Sequence, residues 1–143
     1  MKIYYREKSG GIEILRCFGI EGRVEIPGMI DGKLVISAVP YAFSSHMDEK
    51  EDLKNASLWE VSDGLEFGRE EHVLAGNDVE EIVFPYTLKE IGRYIFYGCG
   101  NLKKLEFSDS LMQIGCGAFT GCHALEKLTV HMRQGKKSGV KEP

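Results

Sequence analysis

Val79-Glu80-Glu81-Ile82-Val83-Phe84, Leu102-Lys103-Lys104-Leu105-Glu106-Phe107 and Leu125-Glu126-Lys127-Leu128-Thr129-Val130 are three versions of one hexad, each 23 residues after the last. The register holds between them. Leu88 answers Leu111, Ile91-Gly92 answers Ile114-Gly115, Phe96 answers Phe119, and Gly98-Cys99 answers Gly121-Cys122. Apolar residues fall at positions 1, 4, 6, 10, 13 and 18 of the unit. Positions 4 and 6 alternate with polar neighbours, the period of a short, half-buried strand. A fixed period in the twenties marks a stacked solenoid, because one unit cannot bury its own apolar face and its neighbours must.

Stacking predicts columns. Phe96 lies over Phe119 as a core residue of equal rank, and Leu105 lies between Ile82 and Leu128. Glu80, Lys103 and Glu126 form one polar column and Glu81, Lys104 and Lys127 the next. Adjacent parallel rungs set Glu80 beside Lys103, an exposed pairing that contributes only about 0.2–1 kcal/mol but fixes register. Gly98 and Gly121 close the Phe-containing turn, where a left-handed backbone costs little only for glycine.

Ile91-Gly92-Arg93-Tyr94-Ile95-Phe96-Tyr97-Gly98-Cys99-Gly100-Asn101-Leu102 and Ile114-Gly115-Cys116-Gly117-Ala118-Phe119-Thr120-Gly121-Cys122-His123-Ala124-Leu125 resemble the BspA-type leucine-rich repeats, whose pattern runs I-G-x-x-A-F-x-G-C-x-x-L-x-x-I-x-x-P. Phe84-Pro85 supplies the proline, and Ser108 replaces it one unit later. The resemblance covers residues 79–130 and, more loosely, 24–46. It implies an α/β right-handed solenoid, with a ladder of short parallel strands on one side and short helical turns elsewhere. It also implies a non-enzymatic interaction or adhesion module.

Outward from the repeats, Lys2–Phe18 reads as a β-hairpin turning at Ser9-Gly10-Gly11, the cap that a terminal repeat needs. Residues 1–23 are that cap. Residues 24–46 are a degenerate repeat, with Ile26-Pro27 standing for Phe84-Pro85 and Tyr41-Ala42-Phe43 for Tyr94-Ile95-Phe96. Residues 47–78 are an acidic insertion. Met47 to Glu60 has helical character, with Met47, Leu53, Ala56 and Trp59 on one face. A second degenerate unit follows, Phe67-Gly68 standing for Ile91-Gly92 and Leu74-Ala75-Gly76 for Phe96-Tyr97-Gly98. Residues 79–131 hold the regular repeats, and 132–143 form a flexible basic tail. One solenoid domain thus spans 1–131.

The chain has 143 residues, 43% hydrophobic, with mean hydropathy −0.21 and net charge −4. Residues 47–81 carry twelve acids against three bases, a solvated insertion or an acidic docking surface for a basic partner. The overall balance disfavours nucleic acid as a partner. No apolar window is long enough to span a membrane. The start lacks a signal-peptide core, so the expected location is cytoplasmic, or the cell surface or exterior if a leader has been removed.

The sequence offers no catalytic constellation and no cofactor site. Cys17, Cys99, Cys116 and Cys122 include no CxxC pair, so the usual zinc spacing is missing. Cys99 and Cys122 share one repeat position and read as a reduced, buried column rather than a disulfide. Neither metal binding by Cys116, Cys122 and His123 nor a Cys/His nucleophile is supported. Gly98-Cys99-Gly100 and Gly115-Cys116-Gly117 lack the continuation of a phosphate loop.

What remains is a module that binds an unknown protein through the strand-lined face. Its outward positions there are Glu81, Val83, Lys104, Glu106, Lys127 and Thr129. The alternative is an assembly protein that pairs with itself through an uncapped C-terminal edge, residues 111–130, as a homodimer.

Overall fold

The computed structural model describes residues 1–46, 53–62, 69–132 and 139–141. The hairpin is present as β1 (Lys2–Lys8) and β2 (Gly11–Gly19). Its turn residues Ser9 and Gly10 both have positive φ, 52° and 81°, the pairing that matches the twist of the flanking strands. Next come β3 (Arg23–Glu25), β4 (Met29–Ile30), β5 (Lys33–Ala38), β6 (Ser57–Glu60) and β7 (His72–Val73). They are followed by β8 (Glu81–Val83), β9 (Glu90–Ile91), β10 (Lys104–Ser108), β11 (Gln113–Ile114), β12 (Lys127–His131) and β13 (Gly139–Lys141).

These strands make a β-solenoid of about five turns with two sheets. One sheet runs β13-β12-β10-β8-β3 and carries the hexads. Its register is that of the repeat, with Ile82 against Leu105 and Leu105 against Leu128, all parallel. Val24 pairs with Ile82 in the same ladder, so residues 24–46 are a true coil stacked directly on the regular ones. The second sheet runs β11-β9-β5-β2-β1-β6, with β4 on β5 and β7 on β2. Here the cap is continuous with the coils: β2 runs parallel to β5 and so takes the place of a preceding turn.

Between the sheets lies the apolar column that the period predicts. Phe43, Phe96 and Phe119 stack with ring centroids 6.1 and 5.7 Å apart, and Phe84 packs against Phe43 and Phe96. Phe96 is fully buried, whereas Phe119 is only partly so. The two are therefore not of equal rank. Phe96 has a ring on either side, and Phe119 belongs to the last coil.

The short helical turns do not form. Among the described residues there is one 3-10 turn, Gly76–Asp78, and no α-helix. The reason is in the backbone donors. An α-helix needs every amide to bond four residues back. Here alternate amides bond the next coil instead: Tyr94 N–H to Cys116 O, Phe96 N–H to Ala118 O and Gly98 N–H to Thr120 O. The amides that follow Phe96 and Gly98, those of Tyr97 and Cys99, close three-residue turns onto Tyr94 O and Phe96 O. The Phe segment is thus a string of tight turns, laddered to its neighbours, and the class is all-β.

Bonding outward to the next coil leaves the first coil's carbonyls without a preceding coil to donate to them. Arg16, 1% exposed, supplies the donor, its guanidinium reaching Tyr41 O and Ala42 O at 3.0 and 2.9 Å. Charge-assisted bonds of this kind offset the cost of burying a guanidinium.

The insertion departs from expectation. Residues 47–52 and 63–68 lie outside the described residues, so the Met47 start of the expected helix and the Phe67-Gly68 match are not observed. The end of that segment is strand β6, not helix. It pairs antiparallel with β1, Ile3 opposite Trp59, because the hairpin's outer edge presents unpaired backbone groups that a strand satisfies and a helix does not. Leu74 is buried and follows β7, which pairs with β2. It is not a rung of the Phe column, since Phe43 stacks directly on Phe96. The tail also departs from expectation. Residues 139–141, which composition marks as loose, form β13 antiparallel to β12, whose outer edge offered the same unpaired groups. Residues 133–138 and 142–143 lie outside the description.

Candidate functional site

The repeat aligns side chains into straight rows on the outer face of the hexad sheet. One row is Arg23, Glu81, Lys104 and Lys127, and the next is Glu25, Val83, Glu106 and Thr129. The six residues expected on this face therefore do share it, and the structure adds Arg23 and Glu25 to their rows. Lys104 and Lys127 are exposed, while Glu81, Val83 and Glu106 are half-buried. Thr129 is not available, being 7% exposed and opposite Val140 in β13. Arg23 is the charge hub at one end, 3.0 Å from Glu25 and 3.5 Å from Glu81. The bond to Glu25, with the nearby Glu81 and Glu106 charges, raises the Arg23 guanidinium pKa further. At the other end His131 Nε2 lies 3.3 Å from Glu106. The expected columns hold as backbone register, since Lys103 N–H bonds Glu80 O and Glu126 N–H bonds Lys103 O. The side-chain polar contacts on this face, however, run through Arg23 and His131.

Beyond the end of this face lies a groove of about 470 Å³, lined by Leu34, Tyr86, Thr87, Lys89, Ser108, Ser110, His131 and Met132. His131 belongs to both surfaces. Tyr86 is 76% exposed, and Leu34 and Met132 are exposed as well. The floor is fixed by short-range polar contacts: Ser110 Oγ lies within hydrogen-bond reach of Tyr86 O and Leu88 O, and Ser108 Oγ of Tyr86 O. Sequence reasoning passed over this groove because its residues stand outside the period. Tyr86 occupies the position at which the next unit has Asp109, and a large aromatic at a turn position was the available sign.

The end coil presents a third surface. Ile114 is 47% exposed where its repeat partner Ile91 is 2%, and Leu111, Phe119, Leu125 and Leu128 are only partly buried. By the same period, the amides of Gly117, Phe119 and Gly121 are the donors a further coil would take.

The cysteine column forms, although only Cys99 has the burial expected of both. Cys99 is fully buried and Cys122 half-buried, with thiols 3.3 and 3.4 Å from Phe43 O and Phe96 O. Each thiol thus meets the carbonyl of the column Phe one coil earlier. Burial pushes the Cys17 and Cys99 thiols up to about 12 and Cys122 to about 11. Cys116 is exposed. Among the described residues no group of three or more His, Cys, Asp or Glu side chains is placed to hold a metal. No helix among them is long and apolar enough to cross a membrane.

Residues 70–138 match the family described as BspA type leucine rich repeat region (6 copies). Two solved structures share the fold. One is a leucine rich cell surface protein from Faecalibacterium prausnitzii, with TM-score 0.57 and 19% identity over 90% of this chain. The other is the leucine rich repeat protein of T. pallidum, with TM-score 0.50 and 17% identity over 88% of this chain. The chain spans 30% of the length of the first and 67% of the second. No curated protein matches it.

Proposed function

We propose that the protein, whose residues 70–138 match the BspA type leucine rich repeat family, is a non-enzymatic module that binds another protein through its hexad face. The observation that carries this is the join between two surfaces at His131. The ladder face offers fixed rows of charge, and the groove beside it offers exposed Tyr86, Leu34 and Met132. An apolar anchor set in a polar rim is the anatomy of a protein interface, in which aromatic and methionine side chains carry most of the energy. Residues Glu81, Val83, Lys104, Glu106 and Lys127 form the rim and set orientation, since exposed charges contribute more to specificity than to affinity. Display at the cell surface, where the Faecalibacterium protein is found, is part of the proposal, and surface biotinylation of the native host tests it.

Proximity capture in that host, followed by affinity measurement with the purified partner, is the test of binding. Tyr86→Ser should weaken binding at least tenfold and Lys104→Glu by a few-fold. A partner whose affinity neither substitution changes would refute the assignment.

A second reading is self-association through the end coil, favoured by the exposure of Ile114. Light scattering on the parent and on Ile114→Lys decides it. A parent that is monomeric at high concentration removes it.

A further inference from the structure

We propose that the cleft between Tyr41, His46, Tyr94 and Tyr97 binds a neutral pyranose glycan. The four rings are contiguous. Tyr41 stacks on Tyr94 at 5.6 Å and 18°, Tyr94 meets Tyr97 edge to face at 5.9 Å, and Tyr97 meets His46 likewise at 4.9 Å. Together they line an open cleft of about 480 Å³, within the range of small-ligand sites. It lies on the Phe-turn side of the coils, away from the hexad face and the groove. The inference is therefore independent of the protein-binding reading.

The backbone marks this cluster. Tyr41 and Tyr94 have φ of 62° and 52°, a left-handed conformation that is an outlier for bulky residues. At the same repeat position the third coil has Gly117, φ 66°, which adopts it freely. Two coils thus carry a ring where glycine suits the chain, and such strain collects at binding sites.

The chemistry of the walls selects the ligand. None of the four residues is a carboxylate, ammonium or guanidinium, so among the described residues the lining supplies no fixed counter-charge for an ionic ligand. The faces of Tyr94 are taken, one by Tyr41 and the other by the third coil, where a Cβ on Gly117 would collide with Tyr94 Cε1 and lie 2.6 Å from its Cδ1. A flat base cannot slide between rings already in contact. What the four lining residues supply is aromatic surface, three phenol hydroxyls and an imidazole. A pyranose matches this, with C–H groups for the rings and uncharged hydroxyls for the phenol and imidazole tips.

The test is an array of neutral oligosaccharides probed with the purified chain, then calorimetry with the best-retained glycan. Choline chloride, L-arginine and AMP serve as cation and base arms. We expect saturable glycan binding that falls at least tenfold in His46→Ala and Tyr97→Ala and a few-fold in Tyr97→Phe, with Tyr86→Ser unchanged. Thermal unfolding checks that the variants fold. If Tyr97→Ala does not, exposed His46→Ala and conservative Tyr97→Phe carry the result. Retention of no neutral glycan, binding indifferent to both His46→Ala and Tyr97→Phe, or saturation by choline, arginine or AMP in place of glycan would overturn the proposal.

Discussion

Truncating Phe96 to Ala should destabilise the protein far more than truncating Phe119, although the two occupy one repeat position. A phenylalanine buries on the order of 150–250 Å². At about 25 cal/mol per Å² that is roughly 4–6 kcal/mol, an upper bound because unfolded chains are themselves partly collapsed. Phe96 is fully buried and touches the rings of Phe43, Phe84 and Phe119, so its loss leaves a cavity walled by rings held in place by three coils. The expected cost is about 3–5 kcal/mol, the range for buried Phe. Among the described residues Phe119 has one ring neighbour in the column, Phe96, and it is only partly buried, so its truncation forfeits less, roughly 2 kcal/mol. Urea unfolding followed by Trp59 fluorescence and circular dichroism measures both, with unchanged slope as the check that only stability has moved. A domain of this size has about 5–15 kcal/mol in all. Should Phe96→Ala fail to fold, Phe96→Leu against Phe119→Leu preserves the comparison. Equal losses would refute the reasoning. They would mean that Phe119 is covered as well as Phe96, and so that the end coil is closed in solution by something stacked on it.

The glycines separate two causes. Gly98 has φ 77° and open space where a Cβ would go, so Gly98→Ala should cost only the left-handed penalty of about 1–2 kcal/mol. At Gly92 a Cβ would lie 2.6 Å from Val39 C and 2.7 Å from Pro40 Cα, backbone that cannot yield. Gly92→Ala should then cost about 3 kcal/mol or more, as an overpacked core does, and a smaller loss than Gly98→Ala would count against the coil spacing. In native thiol labelling Cys116 should react fast, with Cys17, Cys99 and Cys122 slow until urea is added. The same burial predicts alkaline instability. These thiols ionise near 9 when exposed and near 11–12 when folded. Keeping them neutral therefore contributes fully below about pH 9 and is lost as pH climbs toward 11–12. The urea midpoint should fall between pH 8.5 and 10.5 (about two pH units, set by those pKa values), and less steeply in Cys99→Ala.

The period revealed whatever neighbouring coils share. The Phe column, the hexad register, the cysteine column and the positive φ at Gly98 and Gly121 were legible because each recurs every 23 residues and stacking rewards recurrence. The period also showed Ile-Gly as a repeating pair, but not why. Gly92 and Gly115 are there because coils approach too closely for a Cβ: at Gly115 one would meet Arg93 Cα and Gly92 C at 2.5 Å. Helical turns were the wrong expectation for a related reason. Local propensity describes what a segment does with its own amides, and these amides are taken by the next coil. The same blindness hid β6 and β13. Each is a short segment with no strong strand pattern of its own, and each became strand because a sheet edge, at β1 and at β12, stood unpaired beside it.

The sites follow the opposite logic. A stacked repeat specifies its core through sameness, so anything a coil does for a ligand must come from residues in which the coils differ. The groove depends on Tyr86, where the following unit has Asp109. The aromatic cleft depends on Tyr94 and Tyr97, where it has Gly117 and Thr120, and on His46, at the point where the first coil leaves the period for its insertion. Regular coils take six residues from the column Phe to the next hexad, Phe96 to Leu102, whereas the first takes thirty-six, Phe43 to Val79. That excursion sends β6 and β7 back to the cap and leaves His46 beside Tyr97. Its loop closure grows only with the logarithm of length, so the fold admits such an insertion at small cost. Among these coils, the departures from the 23-residue rule are therefore the places where binding partners should be sought, and the hexads that reveal the fold say least about them.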